Sequence, residues 1–381
     1  MQKIKNIFKS ILNQNTIIYR GFSKIYHFFS NQKYKITHRK EVYEKNKLYT
    51  ERVDKAIKII EEYSEKDYIV LYNPTWLGVA ASTKGLFKNN VPLEQVVGKR
   101  NINKIANAIV KSNIKSVIFS QIVDGWTDVI EKIKSTKPNL NVKVIWHGNC
   151  YEFFSDYTWN LNKEVMHLYN ENKIDCFGFV RSTMYELYKK VGFKSCYLQN
   201  NVHKDNAGKT AQNNNEKVKI GIYNADSREL KNIYTALSAM KLVPNAVADV
   251  VPINEGAKKF VEILNLETTS IDDYIPNEEL MNRIQKNDIN IYPTFTENAP
   301  MFPLESFEMG VPCLLGNNND YFVGTELGNY VILDREDDAE YISKKIIQCL
   351  KNKEKIMSLY REWKNTFDKK CEEYVQEFIK N

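Results

Sequence analysis

Two glutamates, Glu297 and Glu305, are the side chains with the clearest chemical potential in this sequence. They lie eight residues apart, after a strand-like run at 289–293 and before the helix-ending Gly310. A strand, a tight loop and the start of a helix leave backbone N–H groups free to bind anions and hydroxyls. Two carboxylates placed beside such groups accept hydrogen bonds only, and therefore suit a polyol such as a sugar or a ribose.

This pattern resembles the E-x7-E signature of retaining glycosyltransferases with the GT-B fold, in particular glycosyltransferase family 4 (group 1). Those enzymes typically read Glu-Gly-Phe-Gly where this chain reads Glu297-Asn298-Ala299-Pro300, and the Leu-Glu-Ser and Gly-x-Pro that follow resemble a common subclass. The resemblance implies that Glu297 holds hydroxyls of the donor sugar and that Glu305 anchors the nucleotide ribose. It also makes Asn298 and Ala299 donor-binding candidates. The alternative is that both glutamates are surface residues flanking a loop.

The same resemblance implies a role for His147, which follows the strand-like run 142–146. Family members often carry a histidine at the end of this strand, near the donor sugar. A neutral imidazole there can exchange a hydrogen bond as charge develops on the leaving diphosphate. A lone histidine at this point can equally be a loop residue with a structural hydrogen bond.

Four further positions match the family pattern less completely. Arg228 and Lys231 follow the first strand of the second domain, where the resemblance implies cations that bind the donor diphosphate, although the family arginine usually stands nearer Asp226. The resemblance also implies that Gly78 occupies the position of the family's Gly-rich loop, and that Ile275 lies in the segment whose backbone binds the nucleobase. The alternative for Arg228 and Lys231 is an ordinary solvated surface. The alternatives for Gly78 and Ile275 are a plain β–α turn and a proline at a helix start. Glu308 is interpreted as a solvated helix position.

Alternation of apolar β-rich runs with helical stretches predicts α/β architecture with parallel sheets covered on both faces. With 381 residues there is room for two such domains. The resemblance implies the GT-B arrangement of two facing, doubly wound Rossmann-like domains, with ligands in the cleft between them. The predicted parts are a basic arm and linking helix (1–66), an N-terminal acceptor domain (67–202), a linker (203–217), a C-terminal donor domain (218–352) and a helical tail that packs back on the N-terminal domain (353–381).

The net charge of +7 is concentrated at the N-terminus. Residues 1–40 carry nine basic side chains and no acidic one, so the other residues carry 45 basic and 47 acidic side chains. Apolar residues at 4, 7, 8, 11 and 12 form one stripe of a helix. A basic amphipathic helix with many aromatic neighbours is typical of binding to an anionic membrane surface. The alternatives are packing on the body, dimerisation and, with no recognisable module to support it, nucleic-acid binding.

Other chemistries find little support in the sequence. The six cysteines are dispersed, without C-x-x-C pairs or neighbouring histidines, and are interpreted as reduced. P-loop, nucleophile-elbow, H-E-x-x-H and dinucleotide fingerprints are absent, and so is the D-x-D pair of metal-dependent glycosyltransferases. We therefore expect no metal and no cofactor. Without an evident signal peptide or an apolar run of eighteen residues, the sequence predicts a cytoplasmic protein peripheral to the inner face of the membrane.

The resemblance implies an enzyme that transfers a sugar from a nucleotide-sugar donor, with retention, to a glycan or lipid-linked acceptor in bacterial surface polysaccharide biosynthesis. Two alternatives keep the fold and change the activity. One is a catalytically silent scaffold in a polysaccharide assembly complex, suggested by the missing loop glycines. The other is a phosphosugar or polyol-phosphate transferase.

Overall fold

A computed structural model describes residues 47–202, 216–223 and 228–381. The basic arm at 1–40, with its predicted membrane helix, lies outside the described residues. So do most of the predicted linker and Asp226. The described chain begins in helix α1 (47–62), whose Val53, Ala56 and Ile60 are buried against the first domain.

The first domain is built on a six-stranded parallel sheet in the order β2-β1-β3-β4-β5-β6. Buried β-branched and aromatic residues form these strands; all five residues of β3 are buried. The strands are β1 (Tyr68–Tyr72), β2 (Asn90–Pro92), β3 (Ser116–Ser120), β4 (Asn141–Trp146), β5 (Cys176–Phe179) and β6 (Ser195–Tyr197). The helices are α2 (Leu77–Leu86), α3 (Lys99–Lys111), α4 (Trp126–Thr136), a 3-10 turn (Cys150–Phe154), α5 (Asp156–Asn170) and α6 (Ser182–Lys190).

The second domain repeats this plan with a parallel sheet in the order β12-β11-β10-β7-β8-β9. Its strands are β7 (Val218–Tyr223), β8 (Ala246–Val251), β9 (Glu267–Ser270), β10 (Ile289–Tyr292), β11 (Cys313–Gly316) and β12 (Ile332–Leu333). Its helices are a 3-10 turn (Glu229–Lys231), α7 (Ile233–Lys241), α8 (Glu255–Leu264), α9 (Asn277–Ile284), α10 (Met301–Glu308), α11 (Glu326–Val331) and α12 (Ala339–Lys351). The predicted α/β class with two Rossmann-like sheets is confirmed.

A long helix, α13 (Lys353–Lys380), packs on both domains. Tyr360 stacks on Phe307 of the second domain, with ring centroids 4.5 Å apart. At its other end, the buried Lys143 of β4 donates hydrogen bonds to the carbonyls of Phe378 (2.6 Å) and Ile379 (2.7 Å). Since the last carbonyls of a helix have no partner within it, a cation is well placed there.

Residues that follow the carboxyl ends of the two sheets contact each other. Asp320, in the loop after β11, accepts hydrogen bonds from the amide and hydroxyl of Ser182 (2.7 Å each) and from the hydroxyl of Tyr197 (2.9 Å). Asn200 donates to the carbonyl of Ala299 at 2.6 Å. The carboxyl ends of both sheets therefore face one cleft, which is where ligands bind in open α/β sheets.

Candidate active site

The loop 293–300 and helix α10 hold the two glutamates singled out by their spacing. The loop follows the fully buried strand β10, and Pro300 precedes the first turn of α10. Glu297 lies in the loop, and Glu305 lies in the second turn of the helix; both are half-buried. A buried strand therefore fixes the start of the loop, and the helix fixes its end.

Glu297 belongs to a compact cluster of three polar side chains. Lys231 Nζ lies 2.6 Å from Glu297 Oε1 and 3.0 Å from the hydroxyl of Tyr292. The Tyr292 hydroxyl donates to the same carboxylate oxygen at 2.8 Å. The side chains of Lys231 and Glu297 are only 8% and 13% exposed, so solvent screens this ion pair little. Glu297 Oε2 makes no hydrogen bond with any residue that the structure describes.

Lys231 reaches Glu297 because the chain turns at Asn232. The sequence predicts one helix over 229–240, which is wrong: a 3-10 turn ends at Lys231, and Asn232 adopts a left-handed conformation with φ of 55°. Asparagine tolerates this conformation better than most residues do. The Asn232 amide donates to the carbonyls of Pro293 (2.9 Å) and Glu336 (2.6 Å), which ties the turn to the loop that carries Glu297.

The other donor-side candidates differ in how exposed their side chains are. Arg228 is exposed and begins the 3-10 turn, one turn before Lys231. Ile275 is half-buried, packs on the core and stands just before Pro276, which precedes α9. Ala299 is buried and offers its carbonyl to Asn200.

Glu308 was predicted to be solvated, and this prediction is wrong. Its side chain is buried, and Oε1 accepts a hydrogen bond from the Tyr360 hydroxyl of α13 at 2.6 Å. The helical period explains the difference, since Glu308 lies three residues beyond Glu305 and faces the C-terminal helix.

His147 stands on the opposite wall of the cleft, directly after β4. Its Nε2 lies 2.8 Å from the hydroxyl of Ser120, and its backbone N–H donates to the Gln121 side chain at 2.9 Å. Ser120 in turn lies 2.6 Å from the hydroxyl of Thr83. Burial lowers the pKa of His147 to about 4, so the imidazole is neutral at pH 7.

Gly78 lies at the second position of α2, on the surface. A Cβ built there would meet no atom within 4 Å, and no positive φ demands a glycine. The structure therefore shows open space next to this residue and no backbone reason for its identity.

Three hydrogen bonds join the two walls in front of His147. The Asn149 amide donates to the Thr296 hydroxyl (3.0 Å) and to the Glu297 carbonyl (3.3 Å). The Asn298 amide donates to Glu152 Oε1 at 3.3 Å. The cleft thus brings the segment 147–152 against the loop 296–298, and Glu297 and His147 lie on its two sides.

The fold of the chain is shared with solved structures. An α,α-trehalose-phosphate synthase (UDP-forming) from Burkholderia xenovorans, in complex with glucose-6-phosphate, matches with a TM-score of 0.53 and 9% identity, over 74% of this chain and 77% of that one. A sucrose-phosphate synthase from Thermosynechococcus elongatus matches with a TM-score of 0.48 and 14% identity, over 75% and 78% of the two chains. The search of curated proteins finds no match.

A family model described as "Glycosyl transferases group 1" matches residues 205–366. The C-terminal domain is therefore similar to the group 1 glycosyltransferases. The matched stretch contains the whole cluster of Lys231, Tyr292 and Glu297, together with Glu305. The two-domain fold of the chain is GT-B.

Two residues that line the cleft were not predicted from the sequence. Tyr292 is the last residue of β10, and in the sequence it reads as part of a buried strand. Its hydroxyl contacts both Lys231 and Glu297. Glu152 lies 146 residues from Asn298 in the chain, so its position depends on the docking of the two domains. The only local signal was the polar Asn149 just after His147; its side chain accepts from the Tyr151 amide and starts the 3-10 turn.

Proposed function

We propose that this chain is a retaining glycosyltransferase that uses a nucleotide-diphosphate sugar as donor. The observation that carries the proposal is the buried cluster of Lys231, Tyr292 and Glu297, opposite a neutral His147 at the carboxyl ends of two parallel sheets. A polyol with an attached diphosphate suits this combination of hydrogen-bond acceptors, an orienting imidazole and cations.

In the proposed arrangement each residue has a distinct task. Glu297 binds donor-sugar hydroxyls through Oε2, the oxygen that the internal cluster leaves unused. Glu305 binds the ribose, while Asn298 and Ala299 line the donor sugar. Arg228 and Lys231 offset the charge that builds on the departing diphosphate, aided by the N-terminus of α10.

Ile275 and Gly78 also have proposed roles in donor binding. The backbone at Ile275 contacts the nucleobase, and Gly78 leaves room for the phosphates or the acceptor. The cations then do the work that a metal does in other transferases, so we propose that no metal or cofactor is required.

The acceptor is proposed to be a lipid-linked or other glycan of bacterial surface polysaccharide, reached by an enzyme peripheral to the inner membrane face. The basic residues at 1–40 support this proposal. So do four exposed aromatic side chains of the 3-10 turn after His147 and the start of α5, Tyr151, Phe154, Tyr157 and Trp159. Aromatic side chains of this kind are enriched where proteins meet a membrane surface. No helix among the described residues is long and apolar enough to span a bilayer.

Thermal shift with UDP, GDP, ADP, CDP, dTDP and CMP tests the donor class. A ligand present at 100 times its Kd adds about 2.7 kcal/mol to the free energy of unfolding. We expect one diphosphate to stabilise the wild type and Glu262→Ala, an exposed control on α8, but not Glu305→Ala. If no nucleotide stabilises the wild type, the enzyme proposal is wrong and the scaffold alternative replaces it.

Membrane association has a separate test. Deletion of residues 1–40 should abolish co-sedimentation with vesicles that contain anionic lipid, and replacement of Phe154 and Trp159 by serine should weaken it. Binding that survives both changes contradicts the proposed membrane surface.

A further inference from the structure

The carboxyl group of Glu152 lies where the N-terminal wall of the cleft meets the donor loop. The 3-10 turn Cys150–Phe154, which follows β4 and His147, positions it. Its Oε1 accepts the hydrogen bond from the Asn298 amide, one residue beyond Glu297. Glu152 therefore touches the loop that holds the donor in the proposed function, although it belongs to the other domain.

Several polar atoms around this contact have no partner. Asn298 Oδ1 and Trp146 Nε1 are buried and make no hydrogen bond within the described part of the chain. The hydrogen bond that Glu152 accepts from Asn298 goes to Oε1, which leaves Oε2 available to a ligand. A buried polar group without a partner is costly, so a ligand that supplies partners gains affinity at such a place. Two unused acceptors and one unused donor fit the hydroxyl groups of a sugar.

Gly148 permits this arrangement. A Cβ at residue 148 would lie 2.6 Å from Glu152 Oε2 and 3.0 Å from Trp146 Nε1. The carboxylate and the indole occupy the space that a side chain at residue 148 would take, so a larger residue there would shift the carboxylate.

The charged side chains near Glu152 indicate which part of a nucleotide-sugar donor can bind beside it. Arg228 and Lys231 act on Glu152 from the opposite wall, together with the like charge of Glu297. Burial is the largest influence and raises the pKa of the Glu152 carboxyl. A phosphate would be repelled by two neighbouring carboxylates, whereas hydroxyls can donate to both. The part of the donor beside Glu152 is then the sugar, with the diphosphate on the cationic side.

We propose that Glu152 and Asn298 form a subsite that binds hydroxyls of the transferred sugar. This inference rests on the proposed function, and it assigns part of the choice of donor sugar to the N-terminal domain. Glu152 Oε2 and Asn298 Oδ1 accept from the sugar, and the hydrogen bond between the two side chains holds them in place.

Calorimetric titration compares a nucleoside diphosphate with the corresponding nucleotide sugars in wild type, Glu152→Ala and Glu152→Gln. UDP is paired with UDP-glucose, UDP-galactose and UDP-N-acetylglucosamine, and GDP with GDP-mannose. In Glu152→Ala we expect the affinity for the best nucleotide sugar to fall at least tenfold, and that for the free diphosphate to change less than twofold. Glu152→Gln keeps the packing but turns one acceptor into a donor, so a selective loss of about fivefold is expected.

Two further variants test whether the loss of affinity is specific to the position of the Glu152 carboxylate. Glu186→Gln removes an exposed carboxylate of α6 in the same domain and should change neither affinity. Gly148→Ala keeps every polar side chain of the subsite, but its added Cβ displaces the Glu152 carboxylate, so it should reproduce the selective loss.

The outcomes separate this proposal from the proposed function. If Glu152→Ala and Glu152→Gln bind nucleotide sugar and diphosphate as the wild type does, the subsite is wrong and the function stands. A parallel loss of both affinities, with a lower melting temperature, makes Glu152 a structural residue and also overturns the subsite. Wild-type protein that binds neither ligand overturns both proposals.

Discussion

The two walls of the cleft differ in how completely their polar groups are paired. On the C-terminal wall, Lys231, the Tyr292 hydroxyl and one oxygen of Glu297 lie within 3.0 Å of one another. On the N-terminal wall, the Trp146 indole N–H is buried and has no hydrogen-bond partner among the described residues, and Glu152 accepts a hydrogen bond from Asn298 across the cleft. The Lys231 cluster is therefore assembled within one domain, whereas Glu152 contacts the other domain.

This difference follows from where each wall obtains its partners. The C-terminal cluster is internal to one domain, since the turn at Asn232 and strand β10 belong to the same sheet unit. The N-terminal wall depends on bonds across the cleft, at Asn149 and Asn298. In the proposed function, the preorganised charge of the C-terminal side stabilises the negative charge that develops on the leaving diphosphate without rearrangement.

The largest expected effect follows from the Lys231–Glu297 ion pair. Lys231→Met leaves the largely buried Glu297 carboxylate without its cation, which should lower the free energy of unfolding by about 3 kcal/mol. It should also reduce transfer activity roughly 100-fold or more through the lost cation. Denaturant unfolding and steady-state kinetics measure the two effects.

Lys134 offers a matched control for that variant. It is equally buried, with a side chain 8% exposed and Nζ 2.6 Å from Asp175, but lies at the amino ends of the strands. Lys134→Met should lower stability and spare activity. Loss of activity in both variants would mean that the Lys231 effect is one of folding.

His147 should give the wall opposite Lys231 a distinct pH signature. Its pKa is about 4, below its usual 6.5, so the unfolded chain takes up a proton between these values and the folded protein does not. This contribution to stability is fully present above pH 6.5 and is lost as the pH falls towards 4, by up to about 3 kcal/mol. His147→Gln should flatten the fall in melting temperature over that window, relative to pH 8. An unchanged slope would show that His147 titrates normally.

Glu308 and Glu305 allow a structural and a proposed ligand-binding carboxylate to be compared on the same helix, α10. Glu308→Ala leaves the buried hydroxyl of Tyr360 without its acceptor and should cost about 2 kcal/mol of stability. Glu305→Ala, one turn away, should leave stability nearly unchanged and weaken nucleotide binding. Chemical denaturation beside thermal shift separates the two, and equal behaviour of both variants would contradict the assignment.

The smallest effect is expected at the far end of α13. Lys143→Met removes the donor to the carbonyls of Phe378 and Ile379 and should cost about 1.5 kcal/mol. Lys194 donates to the carbonyl of Asn381 at 2.7 Å but is exposed, so Lys194→Met should cost much less. Equal effects would show that burial does not strengthen the Lys143 bonds.

The fold was predictable where strands are fully buried. The apolar runs at 218–223 and 246–251 predict two strands, and β7 and β8 have these bounds, because parallel strands covered on both faces are continuous apolar runs. Strand β9 was not predicted, since Glu267–Ser270 is a polar and mostly exposed edge strand. The turn at Asn232 was missed because its left-handed conformation is stabilised by the distant carbonyls of Pro293 and Glu336.

The site was predictable only in its local part. The spacing of Glu297 and Glu305 is visible in the chain, and so is a histidine after a strand. The partners of Glu297 and the position of Glu152 arise from contacts between distant segments, which no spacing encodes. The burial of Glu308 likewise depends on the path of α13.

Helix α13 also limits how the enzyme can move. Tyr360 joins it to α10 and Lys143 joins it to the N-terminal sheet, so one continuous rod is fastened to both halves. Any opening of the cleft must pivot near this rod, and the displacement then grows with distance from it. The hydrogen bonds that the Asn149 and Asn298 side chains donate across the cleft must break wherever the two walls separate.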